Sequence, residues 1–173
     1  TTTNSAATYV PIATTTLASS ASSITFSSIP STYTDLRLIV NATCSAASRY
    51  LVLQLNSDTG TNYSMRSING SGTSAVSLSR QSDTYFYTNN NVGTIANTYP
   101  QLATIDIFSY TGSTYKTMLA TVSNDQNGGG GVDATVGLWR STSTINTILI
   151  TYQTTGATFN SGSTATLYGI LAA

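Results

Sequence analysis

The side chains that could perform acid, base or metal chemistry are few and scattered in this 173-residue chain. It has 6 acidic residues, all aspartate, and no histidine. Without histidine the commonest general base and metal ligand are missing, as are the Ser-His-Asp and Cys-His arrangements of hydrolases. The single cysteine, Cys44, can form neither a thiolate zinc site nor an intramolecular disulfide, and we interpret it as a small buried hydrophobic residue.

Carboxylate chemistry stays formally open. A glycosidase would need two aspartates to meet in space, and the candidates are Asp35, Asp58, Asp83, Asp106, Asp125 and Asp133. Asp125 and Asp133 flank a run of four glycines and could offer oxygen ligands to Ca²⁺, although their spacing matches no EF-hand loop. We predict a protein that is not an enzyme, with no cofactor and no catalytic or metal residues, and leave a bound ion in the segment 124–133 open.

The elements that carry these side chains are predicted to be short strands. Leu36, Leu38 and Val40 recur with a period of two, and the run from Leu51 to Leu55 does the same, which is typical of half-buried strands. Further strands are predicted over 24–26, 63–69, 75–79, 85–87, 103–110, 115–123, 134–140, 145–152 and 165–171. β-branched residues dominate these segments, and no stretch favours a helix of useful length. The predicted class is therefore all-β, a two-sheet antiparallel sandwich. A jelly roll is the expected arrangement because it commonly uses eight or more strands, and another sandwich topology stays open, since the pattern does not determine the order of the strands.

Two polar stretches interrupt the strand rhythm. One runs from Thr88 to Pro100, and the other, from Asn124 to Gly131, ends in the four glycines. Both are predicted to be exposed loops. Because glycines offer no side chain to pack, we expect the second loop to be either mobile or held by backbone hydrogen bonds to a partner.

The first 23 residues differ from the rest. Threonine, serine and alanine dominate them, so residues 1–23 are interpreted as an extended N-terminal arm before a sandwich domain over 24–173. Such an arm is suited to lie as one added strand along its own surface or a neighbour's. Its isolated apolar residues are the predicted partner contacts: Tyr9, Val10, Pro11, Ile12 and Leu17.

A second candidate contact surface is aromatic. Tyr85 and Tyr87 precede an asparagine-rich segment that includes Asn90, and tyrosine and asparagine side chains make contacts to sugars and proteins with little charge. Trp139, the one tryptophan, is predicted either to pack in the core or to contact another subunit.

The charge content excludes some partners and favours others. Charged residues make up 7% of the chain and its net charge is +0, whereas about a quarter of an ordinary protein is charged. A neutral protein tends to associate, so we predict a homo-oligomer or a permanent protein partner. With 6 basic residues and no basic run, nucleic acid is not an expected ligand. No apolar run approaches the ~18 residues of a membrane span, so no membrane partner is expected either.

Several segments together resemble a known group of proteins. They are Ile24–Leu36, Leu53–Asn56 leading to Thr61–Ser64, Gly137–Arg140 with Ile145, and Leu167–Ile170. In this order they resemble small β-rich virion proteins of tailed bacteriophages, including cyanophages, which are capsid decoration (cement) proteins or components of fibres and tails. The resemblance covers most of the chain after the arm.

The resemblance implies a structural role in a virion, as a homotrimer with a jelly-roll body, made in the host cytoplasm. We expect a capsid decoration protein that binds the major capsid protein, or other virion proteins, through its arm and one sandwich face. The alternative is a tail or head fibre component that binds a host surface receptor or glycan through its Tyr/Asn-rich loops. No set of site residues is implied by the resemblance.

Overall fold

A computed structural model describes residues 8–46, 50–89 and 98–171 of the chain. These residues form strands joined by turns and irregular segments, with no helix among them. The strands are Tyr9–Thr16 (β1), Ser23–Phe26 (β2), Asp35–Ala42 (β3), Leu51–Leu55 (β4), Tyr63–Gly70 (β5), Ala75–Asp83 (β6), Phe86–Tyr87 (β7), Gln101–Phe108 (β8), Lys116–Asp125 (β9), Gly130–Trp139 (β10), Ile148–Tyr152 (β11) and Thr164–Ile170 (β12).

The strands form two antiparallel sheets, which confirms the predicted sandwich. The larger sheet has the order β1-β12-β3-β8-β9-β10-β5-β6, and the smaller one has the order β2-β11-β4-β7. The chain crosses repeatedly between the sheets, so that early strands lie beside late ones, such as β2 beside β11 and β3 between β12 and β8. This is jelly-roll connectivity, with the hairpin β9–β10 inserted between β8 and β5 and with β1 and β12 extending one edge.

The core lies between the sheets and is built from the inward set of each alternating strand. On β3 these are Leu36, Leu38 and Val40, all fully buried, as their period of two predicts. Glycine allows the closest approach between the layers, because a Cβ on Gly137 of β10 would lie 2.1 Å from the ring of Phe86 on β7. The two sheets are therefore in direct contact at this point.

Strand β4 departs from the sequence-based expectation of half burial. All five of its residues are buried, including Val52 and the polar Gln54, which were predicted to face solvent. Gln54 donates a hydrogen bond at 3.3 Å to the carbonyl of Thr84, which lies in the segment before the neighbouring strand β7. The alternation in the sequence predicted the strand correctly, but it did not predict that both faces of the strand are buried.

The loop predicted over 124–131 is shorter in the structure, where residues 126–129 alone lie outside the strands. β9 continues to Asp125 and β10 begins at Gly130, so only a tight turn separates them. Gly130 has a φ of +92°, and a Cβ there would lie 1.9 Å from the carbonyl oxygen of Asn124. The glycine is required by this turn, and the run is held by the chain's own hairpin, in which Gln126 donates to the carbonyl of Gly129.

The predicted arm forms β1 in the larger sheet of the same molecule. It pairs with β12, from Tyr9 opposite Ile170 to Thr16 opposite Thr164, and its other edge is open. Side chains of Ile12 and Leu17 pack against the core, whereas Tyr9 and Pro11 are exposed. Residues 1–7 lie outside the described part of the chain.

Candidate interaction surface

The aspartates are held separately, each by local partners. Asp106 accepts two hydrogen bonds from the Arg37 guanidinium, at 2.6 and 2.8 Å, and this contact raises the pKa of Arg37 against the opposing effect of partial burial. Asp35 accepts from the backbone of Ser109. Within residues 8–46, 50–89 and 98–171, no three His, Cys, Asp or Glu side chains cluster as metal ligands would.

Asp125 and Asp133 do not converge on an ion. Asp133 is fully buried on the inner face of β10, whereas Asp125 is exposed on the other face of the sheet and accepts from the backbone N–H of Asn127 at 2.9 Å. The two carboxylates that the sequence placed around the glycines therefore cannot share a cation.

Trp139 is a core residue, which decides between the two roles that the sequence left open. It is 2% exposed, its ring stacks on Tyr63 with centroids 6.3 Å apart, and its Nε1 donates to Asp58 Oδ2 at 2.6 Å. Asp58 also accepts from Asn62 and from the backbone of Gly60. Burial alone would raise the pKa of Asp58, but these hydrogen bonds lower it below its usual value of 3.8.

The predicted aromatic contact surface is not available on the described molecule. Tyr87 is 4% exposed, because Tyr50 packs edge-on against its ring and the Arg80 guanidinium lies 4.1 Å from the ring centre. Tyr85 is partly buried against the core. Asn90 lies outside the described residues. The prediction that Tyr87 and Trp139 contact a partner is therefore corrected: both side chains lie inside the molecule.

Of the arm residues, Tyr9 has the most specific environment. Its hydroxyl accepts a hydrogen bond from Arg37 Nη1 at 2.9 Å, and its ring meets Tyr168 edge-on. The ring is 45% exposed and lies at the margin of the outer face of the larger sheet. The arm thus contributes to the same surface that the sheet presents to solvent.

That surface carries an inverted pattern of polarity at the end formed by β5 and β10. Ile68, Val132 and Val136 point outward and are 67%, 52% and 46% exposed. The residues next to them, Asn69 and Asp133, point inward and are buried. Burying polar groups while exposing apolar ones lowers the stability and solubility of an isolated chain, and an exposed apolar patch marks an interaction site.

The apolar patch continues across the sheet. Leu119 on β9 lies opposite Val136, and Leu102 on β8 is exposed in the same way. Eight strands spaced by about 4.8 Å and some seven residues long give a face of about 34 by 23 Å, or roughly 800 Å². This is the area that each partner contributes to a standard protein–protein interface. We call this surface the outer face.

Charge is sparse on the outer face, and at its centre it is neutralised. Arg37 and Asp106 form an ion pair across β3 and β8, and threonines fill much of the space between the apolar residues. Sequence reasoning missed this surface, since it sought contacts in loops and in the arm. The available signal was the occurrence of apolar residues at adjacent positions, as in Met118–Leu119 and Leu138–Trp139, which supply both faces of a strand.

The segments behind the resemblance to virion proteins meet in pairs in the fold. A Cβ on Gly169 would lie 2.2 Å from the ring of Tyr33, which joins the first segment to the last. Arg140 donates to the carbonyl of Thr61, which joins the two central segments. These residues maintain the packing of the sandwich, and the two central segments also line one groove, through Ser64 and Leu138 among others.

Comparisons of the chain with protein-family models, with curated proteins and with solved structures found no significant match. In the described residues, no helix is long and apolar enough to cross a membrane.

Proposed function

We propose that this chain is a non-enzymatic virion structural protein, a capsid decoration protein that docks on the shell through its outer face. The observation that carries the proposal is the inverted polarity of β5 and β10, which exposes Ile68, Val132 and Val136 over buried polar neighbours. A covering partner would remove these side chains from water. The location in a virion, the trimeric state and the capsid partner rest on the resemblance alone.

The size of the outer face and the neutrality of its centre support this role. An area of roughly 800 Å² suffices for a stable complex. Arg37 and Asp106 neutralise each other, so the centre of the outer face can be covered with little desolvation of free charge. Of the Tyr/Asn-rich loops on which the fibre alternative relied, Tyr87 is buried and Asn90 lies outside the described residues, so no described residue favours it.

Co-sedimentation with shells tests the proposal. Purified chain would be added to shells from its own host system that lack it, and the bound copies counted by quantitative mass spectrometry. Replacing Ile68 and Val136 by serine removes about 2 kcal/mol of apolar burial, which corresponds to about 30-fold weaker binding. The control is Tyr115→Ser, which removes a comparably exposed side chain in the turn before β9.

We expect the double variant to lose occupancy while the control retains it. Equal occupancy of the double variant and the unmodified chain would contradict docking through the outer face. A glycan array run in parallel tests the fibre alternative. If the chain binds a specific glycan and stays soluble as a monomer in the absence of shells, the fibre alternative would replace our proposal. Light scattering of the purified chain measures the number of copies in the oligomer.

A further inference from the structure

A groove on the outer face gathers half of the chain's basic residues. It has a volume of about 470 Å³ and crosses β6, β5, β10 and β9 at the end near the turn into β7. Arg66, Arg80 and Arg140 line it, and the whole sequence holds only 6 Lys and Arg. No aspartate lines the groove, so it is a local concentration of positive charge on an otherwise neutral surface.

Two of these arginines have N–H groups that are not used in hydrogen bonds within the described part of the chain. Arg66 is exposed and makes no hydrogen bond or ion pair with the described part of the chain. Arg140 donates to the carbonyl of Thr61 through one nitrogen, which leaves most of its five N–H donors for a ligand. Arg80 is committed elsewhere, since it pairs with Asp83 at 3.6 Å and covers the ring of Tyr87.

The positions of Arg66 and Arg140 allow both to reach one anionic group. Arg66 lies opposite Val136 in the β5–β10 ladder, and Arg140 comes four residues after Val136, directly beyond the end of β10, where its backbone N–H donates to the carbonyl of Asn62. Their Cα atoms are thus about 14 Å apart at a rise of about 3.4 Å per residue. Two extended arginine side chains span most of that distance, with Ser64 and Leu138 between them.

We propose that this groove binds a carboxylate side chain of the protein on which the outer face docks. The inference rests on the proposed function and names the chemistry of its partner: an Asp or Glu that projects from the partner's surface. Guanidinium groups bind carboxylates through paired, charge-assisted hydrogen bonds, and arginines beside an apolar patch are the residues that dominate many interfaces. Val136 belongs to both the groove and the apolar patch, so the two surfaces are continuous.

Other occupants fit less well. None of the residues that line the groove is aromatic, and sugar rings are commonly held by stacking on aromatic side chains. A second copy docked face to face about a two-fold axis at the groove would bring arginine against arginine, because the exposed Asp125 lies at the opposite end of β9 from the groove. In such a copy the aspartate central to the outer face, Asp106, is already bound by Arg37. A different protein with an exposed acidic residue complements the groove.

Small probes test the groove directly. The ¹⁵N-labelled full chain would be titrated with a capped Ala-Glu-Ala peptide, and the arginine Nε–H resonances followed by NMR. We expect those of Arg66 and Arg140 to shift, with no such shift from capped Ala-Gln-Ala, and Arg66→Gln to weaken binding about tenfold. Arg37→Gln, which lies outside the groove, is the control and should bind as the unmodified chain does.

Three outcomes overturn the inference. Equal shifts with the Glu and Gln peptides would show that charge is not recognised. Equal shifts with inorganic sulfate would mean an unspecific anion site. Tighter binding of a glucuronate trisaccharide than of the Glu peptide would assign the groove to an acidic sugar.

The shell assay separates this inference from the proposed function. Loss of occupancy in both the Ile68/Val136 double variant and Arg66→Gln supports both. If the double variant loses occupancy and Arg66→Gln does not, docking stands and the carboxylate inference fails. If neither variant loses occupancy, both fail.

Discussion

The hydrogen bond between Trp139 and Asp58 allows a quantitative test of how much a turn between the two sheets contributes to stability. Asp58 follows β4 in the smaller sheet, and Trp139 ends β10 in the larger one. In Asp58→Asn, the amide has one acceptor oxygen where the carboxylate has two, so it cannot serve both the Trp139 indole and the Gly60 backbone N–H as before. Because Trp139 is 2% exposed, water cannot replace the lost acceptor.

Leaving a buried donor unsatisfied costs about 1–3 kcal/mol, and hydrogen bonds to charged groups lie at the upper end. We therefore expect Asp58→Asn to lower the free energy of unfolding by about 2 kcal/mol. Urea denaturation measures this, with Trp139 as the one tryptophan reporter and far-ultraviolet circular dichroism as an independent probe. The matched control is Asp125→Asn, an exposed residue whose replacement can still accept from Asn127 and should change stability by less than about 0.5 kcal/mol.

The pH dependence supplies a second test. Since the pKa of Asp58 is lowered by folding, its contribution is fully present above the unfolded value near 3.8 and is lost as pH falls through the folded value. The stability difference between the unmodified chain and Asp58→Asn should therefore narrow below about pH 4. A difference that stays constant from pH 7 to pH 2.5, or one no larger than that of the control, would refute the reasoning.

Four further predictions concern stability and access. Gly137→Ala places a Cβ 2.1 Å from a core phenylalanine ring and should cost about 3 kcal/mol in urea denaturation, whereas Gly70→Ala, with open space around it, should cost far less. Lys116→Met removes a buried ammonium that donates to three backbone carbonyls, and we expect its thermal unfolding to reflect a loss of about 2 kcal/mol. Deletion of residues 1–16 exposes the edge of β12 and should raise self-association in light scattering. Cys44, fully buried, should react with a thiol reagent only as fast as the chain unfolds.

The strands were predictable because their period of two is a local property of the chain. Leu36, Leu38 and Val40 face the core whatever lies beside β3. The pairing of strands is not local: Leu38 lies opposite Leu167 on one side and Ile105 on the other. The sequence therefore left the jelly roll as one of several possible sandwich topologies, and the long-range pairing of the strands distinguishes among them.

The burial of strand residues by segments distant in sequence was the least predictable part of the fold. Nothing in Leu51–Leu55 indicates that Gln54 is buried and bonded to Thr84, and the burial of Tyr87 depends in part on Arg80 from β6, at the edge of the other sheet. The prediction of contacts at Tyr87 failed for that reason. A residue's exposure on a strand depends on which distant segment packs over it, and composition does not contain that information.

Which residues of β5 and β10 lie on the outer face is decided at one end of these strands, because the orientation of that end determines the orientation of the other. Tyr63 and Met65 are anchored in the core, as is Trp139 on the neighbouring strand β10. Side chains alternate strictly along a strand, so these anchors force Asn69 inward and Ile68 outward. A one-residue bulge would reverse the far end and bury the isoleucine, yet the β5–β10 ladder runs without one. The exposed apolar residues are therefore not used by the chain's own folding, and their use is to be sought in a partner.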